Sequence, residues 1–342
     1  MNNLYEKIRN NDVYFIAEMS ANHGGSLETA LEIVRKSAKI GADCIKIQTY
    51  TADSLTIDCD SESFKIKNGL WDGETLYNLY EKACTPYEWH KAIKEECEKE
   101  GVDFLSTPFD KDAVDFLEEL NVEAYKVASF EVVDLPLIEY IASKHKPLII
   151  STGMASLEEI KEAIDVCYKV DNYRIILLKC CSEYPASWDD MFLGNIPDLK
   201  KRFGVPVGLS DHSVGSLGAV VGATLGACII EKHVKIDGVK SADSDFSMTI
   251  DEFGQMIQDV KNAKLIASGP CYELTEGEKE SLIFRRSIFA VSDIKPGDVF
   301  DESNIRIIRP GNGLKPKYYE QLLGTVSKRH IKRGEPIIKK DL

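Results

Sequence analysis

The chain has 342 residues, 44% hydrophobic and 29% charged, the composition of an ordinary globular protein. A formal charge of −14 without any basic run excludes nucleic acid and anionic membrane as expected partners, because both select clustered Lys and Arg. Nine scattered cysteines with no CxxC pair read as reduced thiols, no apolar stretch approaches membrane-spanning length, and the first twenty residues lack the pattern of an export signal, so the expected compartment is the cytoplasm.

In chain order, short apolar runs alternate with charged stretches of helical period from residue 13 to about 265. The runs are VYFIAEMS (13–20), DCIKIQT (43–49), DFLST (103–107), AYKVAS (124–129), PLIIST (147–152), RIILLKC (174–180), VPVGLS (205–210) and CIIEKHV (228–234). Between them lie LETALEIVRKSAKIGA and SLEEIKEAIDVCYKV, the second opening on Ser156 as N-cap with Glu159 three places on. About eight such units predict an α/β fold, a (β/α)8 TIM barrel over residues 1–267. A doubly wound sheet is the alternative, but ANHGGS after the first run is not its glycine fingerprint. Residues 53–89 are too long and polar for a simple loop, and such insertions usually cover an active site. After a linker at 268–283, the turn signals Lys295-Pro296-Gly297-Asp298 and Arg333-Gly334-Glu335-Pro336 mark residues 284–342 as a small, loop-rich second domain.

Polar residues in or at the ends of apolar strands carry the chemical signal, because each must be satisfied inside the barrel. Within DCIKIQT, Lys46 and Gln48 share one face while Ile45 and Ile47 face the helices. Lys46 and Lys126 can offer ammonium groups to a phosphate or carboxylate, with Ser129, Ser151, Thr152 and Ser210 as further donors. The competing reading is a structural Lys–Glu pair, for instance with Glu18. His212 and His233 end successive strands and suit Mn²⁺, Fe²⁺ or Zn²⁺, or else are hydrogen-bonded core histidines. His23 reads as a loop-shaping residue, Tyr184 as a pocket wall or packed aromatic, and Cys180 and Cys181 as buried thiols.

The motifs AEMSANHGGS, IKIQTYT, STPFD, YKVASFE, STGM, GLSDHS, IEKHV, FRRS and RPGNG, in this order along the whole chain, resemble the sialic-acid synthase family. Members join phosphoenolpyruvate to an amino-sugar aldehyde. The resemblance implies that 284–342 is an antifreeze-like (SAF, β-clip) domain, swapped across a homodimer. It also implies a divalent metal on His212 and His233, usually Mn²⁺, with Mg²⁺ or Co²⁺ as alternatives. Lys46, Lys126, Ser129, Ser151 and Ser210 match phosphoenolpyruvate contacts, as does Ser182, where some members carry Asn. Glu18, Gln48, Glu131, Tyr184 and Asp243 match acceptor-side positions, and Arg309 matches an arginine reaching from the partner's small domain. Glu18, Lys46 and Lys126 are the implied catalytic set. GLWDGETLYNLYEKACTPYEWH and RPGNGLKPKYYEQLLG resemble the branch that makes pseudaminic acid from a 6-deoxy-altrose diacetamido sugar. The chain departs from the family pattern at Cys181-Ser182-Glu183 and at Lys240–Asp243. Neuraminate or legionaminate synthesis by the same chemistry is the second expectation. A lysine Schiff-base aldolase and a carbohydrate-binding module are the alternatives from other classes.

Overall fold

Runs of Ile, Val and Leu, side chains that fit a pleated surface buried on both faces, become eight parallel strands. They are β1 (Tyr14–Glu18), β2 (Cys44–Thr49), β3 (Asp103–Pro108), β4 (Tyr125–Val127), β5 (Leu148–Ser151), β6 (Ile175–Cys180), β7 (Val207–Asp211) and β8 (Ile229–Lys235). The computed structural model describes residues 4–10, 12–67 and 70–341. It divides into two units, Met1–Ser268 and Gly269–Leu342.

In the first unit the strand order is β3-β2-β1-β8-β7-β6-β5-β4. Pairing of β1 with β8, from Tyr14↔Ile229 to Glu18↔His233, joins the first strand to the last and rules out the open doubly wound sheet. β3 and β4 lie side by side without a paired ladder, so the eight strands form a nearly closed barrel. A two-residue strand β9 (Met248–Thr249) extends β8.

Alternation along each strand sorts the side chains into two sets. Phe15, Ala17, Ile45, Ile47 and Leu177 face outward into the core shared with the surrounding helices. The inward sets begin apolar and end polar: Tyr14, Ile16, Glu18 in β1; Cys44, Lys46, Gln48 in β2; Ile229, Glu231, His233 in β8. Ile16, Cys44, Leu105, Ile149, Ile176 and Ile229 fill the lower barrel, where Leu4 and Ile8 of helix α1 (Leu4–Asn10) join them. Packing closes the N-terminal end, and the polar layer is left at the C-terminal ends of the strands.

The first βα unit runs from β1 into α2 (Leu27–Lys39), capped by Ser26. The 53–89 insertion contains most of α3 (Ala52–Leu55), all of α4 (Leu76–Ala83) and the start of α5 (Tyr87–Glu100). Helix Leu157–Lys169 opens with the capping box foreseen at Ser156 and Glu159, whose backbone and side-chain bonds are reciprocal. Among the described residues no helix is long and apolar enough to cross a membrane.

The second unit contains a short helix, Glu276–Ser281, and one antiparallel pair, β10 (Ser287–Ala290) with β11 (Ile305–Ile308). The remaining extended pieces meet in isolated bridges, including Ile294↔Ile331 and Val299↔Val326, around a core of Ile288, Phe300, Ile305 and Ile337. Gly297 and Gly334 supply the positive φ, 92° and 87°, that the two foreseen turns need.

Candidate active site

The polar layer is built around four buried charges. Lys46 Nζ lies 2.7 Å from Glu18 Oε2 and 3.5 Å from Glu231 Oε1. Lys126 Nζ lies 3.7 Å from the same Glu231 oxygen and donates to Ser151 Oγ at 2.6 Å. Ser210 Oγ donates to Glu231 Oε1 at 3.3 Å, and Gln48 Nε2 donates to Glu18 Oε1 at 3.1 Å. All four charged groups are at most 4% exposed, so their pKa values follow their neighbours as much as their burial. Burial opposes charge on Lys46, but the carboxylates of Glu18 and Glu231 outweigh it and hold its pKa up. On Lys126 burial prevails despite Glu231, and nearby Lys46 pushes the same way, so its pKa is lowered. Burial would raise Glu231, yet Lys126 and Lys46 keep it ionised, whereas burial together with Glu231 raises Glu18. The Lys46–Glu18 pair anticipated as a structural alternative is therefore present. Lys126 differs, because its nearest carboxylate oxygen is 3.7 Å away and its firm partner is a serine.

The serines converge beside this cluster. Gly153 N donates to Ser129 Oγ at 3.2 Å. A Cβ on Gly153 would stand 2.1 Å from Ser182 Oγ and 2.8 Å from Ser129 Oγ, so only glycine lets both hydroxyls approach. Ser182 and Tyr184 follow the run 174–180 rather than belonging to it. β6 ends at Cys180, and both residues sit in the loop beyond it.

His212 follows the last residue of β7 and His233 lies within β8, with ring centroids 5.4 Å apart. His212 Nδ1 donates to the Cys181 carbonyl at 2.9 Å, which leaves Nε2 as the ligating nitrogen. His233 Nδ1 is buried with no hydrogen-bond partner among the described residues. Burial, reinforced by His212 and Lys46, pushes the His233 pKa well down, so the ring is neutral, the form a metal requires. The donor set therefore fits a divalent transition metal held by two imidazoles with its other positions open to oxygen ligands. Among the described residues no group of three or more His, Cys, Asp or Glu forms a closed cage. The Tyr184 ring packs 4.3 Å from the His212 centroid, which makes it a wall of the site.

Above the lysines opens a cavity of about 490 Å³, within the range of small-molecule sites. Gln48, Glu131, Tyr184, Asp243, Ser182 and His233 line it, so four of the five acceptor-side candidates come together there. The fifth, Glu18, is bonded to Gln48 underneath. Burial raises the Glu131 carboxyl to about 7, and its Oε2 has no hydrogen-bond partner among the described residues. Asp243 Oδ2 accepts the Ala21 backbone N–H at 3.2 Å, and burial raises its pKa. Arg309 belongs to the second unit, where it is exposed at the end of β11. His23 shapes the first βα loop by accepting the Gly25 N–H at 3.0 Å. Cys180 is buried, as expected, with Sγ 3.7 Å from His212 Nδ1, but Cys181 is only half-buried.

Sequence reasoning gave Glu231 no role, although it bridges the two lysines. Its position two residues before His233, on the same face of β8, was the available signal. Trp71 gave none: its Nε1 donates to the Ala242 carbonyl at 3.0 Å, which ties the insertion to the loop carrying Asp243.

Residues 33–270 match the NeuB family and residues 285–342 match the SAF domain. The chain is 46% identical over 330 residues to the pseudaminic acid synthase of Campylobacter jejuni, covering 96% of each chain. It is 40% identical over 338 residues to the pseudaminic acid synthase of Helicobacter pylori, covering 96% of this chain and 97% of that one. Among solved structures, the N-acetylneuraminic acid (sialic acid) synthetase of Leptospira borgpetersenii, in complex with citrate, is similar with a TM-score of 0.70 at 30% identity. That match covers 80% of this chain and 91% of the other.

Proposed function

The chain belongs to the NeuB family, and from that premise we propose that it catalyses pseudaminic acid synthesis. Phosphoenolpyruvate, 2,4-diacetamido-2,4,6-trideoxy-L-altrose and water give pseudaminic acid and phosphate. The observation that carries this reading is the meeting of two buried ammonium groups, from β2 and β4, with two imidazoles, from the ends of β7 and β8, at one end of the barrel.

Lys46 and Lys126 bind the phosphate and carboxylate of phosphoenolpyruvate, with Ser129, Ser151, Ser182 and Ser210 as hydroxyl donors. C3 of phosphoenolpyruvate attacks the open-chain aldehyde carbon, and positive charge develops at C2. Glu18 and Glu231 are fixed anions suited to that charge. Water adds at C2, and cleavage of the C2–O bond to phosphorus then releases phosphate and leaves the keto acid. Both Glu18 oxygens are engaged, by Lys46 and Gln48, so its role is electrostatic. Glu131, whose Oε2 has no partner among the described residues and whose carboxyl is near neutrality, takes a proton from the water, and the alkoxide formed from the aldehyde gains a proton to become the product hydroxyl. His212 and His233 would hold the metal, Mn²⁺ in this reading with Mg²⁺ or Co²⁺ as alternatives, which when bound supplies a Lewis acid for the aldehyde oxygen. The setting is cytoplasmic, a reading supported by nine cysteines that are all free thiols. A homodimer exchanging its small domains, with Arg309 completing the partner's site, is part of the same proposal and is tested by sedimentation of wild type and Arg309→Ala.

The test is phosphate release from phosphoenolpyruvate with the trideoxy sugar, before and after chelation, with the product identified by mass. Release that disappears on chelation and returns with Mn²⁺ is expected. No release with any amino-sugar aldehyde overturns the reading. Borohydride trapping of a pyruvate adduct would place the chain among the Schiff-base aldolases instead.

A further inference from the structure

Helix α4 presents Leu76, Leu79, Tyr80 and Ala83 at i, i+3, i+4 and i+7, a single apolar face. A helix on a globular protein buries such a face in a core, yet no residue of α4 is buried. The four side chains line the 490 Å³ cavity, together with Leu55 from α3 and Phe109 just beyond β3. The same cavity is also lined by the polar residues Gln48, Glu131 and Asp243. The apolar wall is also anchored. Tyr80 meets Tyr50 edge-on with centroids 6.0 Å apart, Tyr50 meets Phe109 at 5.3 Å, and Trp71 is hydrogen-bonded to the Ala242 carbonyl. A sugar in this cavity that turns one edge toward Leu76, Leu79 and Ala83 meets side chains that offer no hydrogen bond. A hydroxyl there is desolvated without compensation, whereas a methyl group gains burial.

We infer that the α4 face is the specificity element for the acceptor, selecting an aldehyde sugar whose distal edge carries methyl groups, a 6-deoxy carbon and acetamido methyls, over a hexosamine with a free hydroxymethyl. This rests on the sugar-condensing function proposed above and names the residues that choose the sugar. Leu76 and Leu79 are half-exposed and outside the core, so their replacement leaves the barrel intact.

The experiment compares kcat/KM for phosphate release with the trideoxy diacetamido altrose and with N-acetylmannosamine, in wild type, Leu79→Gln, Leu76→Asn/Leu79→Gln and the conservative Leu79→Met. The glutamine variant is expected to lose roughly ten- to two-hundred-fold on the trideoxy sugar, the range for mismatching a methylene-sized contact. The ratio of the two sugars shifts toward N-acetylmannosamine, KM for phosphoenolpyruvate stays within about twofold, and Leu79→Met retains the wild-type ratio. A ratio unchanged in the double variant, with the trideoxy sugar still turned over by wild type, overturns the inference and leaves the function standing. Wild-type preference for N-acetylmannosamine also overturns it. Release with neither sugar removes the function and the inference together.

Discussion

Gly153 and Ser182 meet so closely that the glycine Cα hydrogen occupies space no carbon could take: a Cβ there would lie 2.1 Å from Ser182 Oγ. Gly153 does not have a positive φ, so alanine meets no backbone penalty and the conflict is steric alone. Gly153→Ala is expected to push the Ser129 and Ser182 hydroxyls apart and to raise KM for phosphoenolpyruvate by roughly tenfold or more, the loss of about one charge-assisted hydrogen bond. Steady-state kinetics at saturating sugar checks this. A fall in kcat with KM unchanged would argue that the serines do not hold the ground-state anion.

Glu231 stands between two ammonium groups, and removing its charge leaves both of them short of a partner. Glu231→Gln is expected to lower unfolding free energy by about 3 kcal/mol, the usual penalty for breaking a buried charge cluster. Because phosphoenolpyruvate brings negative charge to the same place, its addition should recover more stability in the variant than in wild type. Urea denaturation with and without phosphoenolpyruvate measures both effects. Equal recovery in the two proteins would mean that the anion does not bind at Lys46 and Lys126.

Why Glu231 escaped the sequence is a matter of topology. Strand period told which residues of β2 share a face, and that placed Lys46 and Gln48 inward and Ile45 and Ile47 against the helices, as observed. Alternation of apolar runs with helical segments sufficed for the barrel, and the capping box at Ser156 needed only local bonds. Distances across the barrel are another kind of information. Lys126 in β4 meets Glu231 in β8, four strands away around the ring, and no spacing along the chain encodes that meeting. Trp71 was invisible for the same reason, since its partner at residue 242 is 171 positions away.

Glu131 carries a stability cost that pH should expose. Burial raises its carboxyl from the ordinary 4.5 to about 7 in the folded chain. Below about 4.5 it is protonated in both states and contributes nothing. As pH rises toward 7 the unfolded chain ionises first, and folded stability falls until the folded group also ionises. A shift of this size corresponds to roughly 1–3 kcal/mol after allowance for partial exposure. Glu131→Gln should therefore be more stable than wild type at pH 8 and equal to it near pH 4.5, in paired urea melts. If the ionised carboxylate accepts the proton, wild-type kcat/KM rises through pH 7, and the glutamine variant is slower and loses that limb. An inflection near 7 that persists in Glu131→Gln would assign it to another group.

The two imidazoles make a prediction that needs no turnover. His212 commits Nδ1 to the Cys181 carbonyl, while His233 Nδ1 is buried with no partner in the described structure, an uncompensated polar atom whose cost a ligand could offset. Mn²⁺ binding, followed by the loss of the free-ion electron paramagnetic resonance signal, should saturate at about one ion per chain. His233→Gln and His212→Gln should each weaken it more than tenfold. Metal that binds only the folded chain stabilises it by about 2.7 kcal/mol at a hundred times the dissociation constant, so Mn²⁺ should raise the melting temperature of wild type and not of either variant. Glu131→Gln serves as the control, because it alters the cavity without touching the imidazoles, and it should keep the full Mn²⁺-dependent rise. If that variant lost the rise while His233→Gln kept it, the metal would belong to the carboxylate side of the cavity and not to the histidine pair.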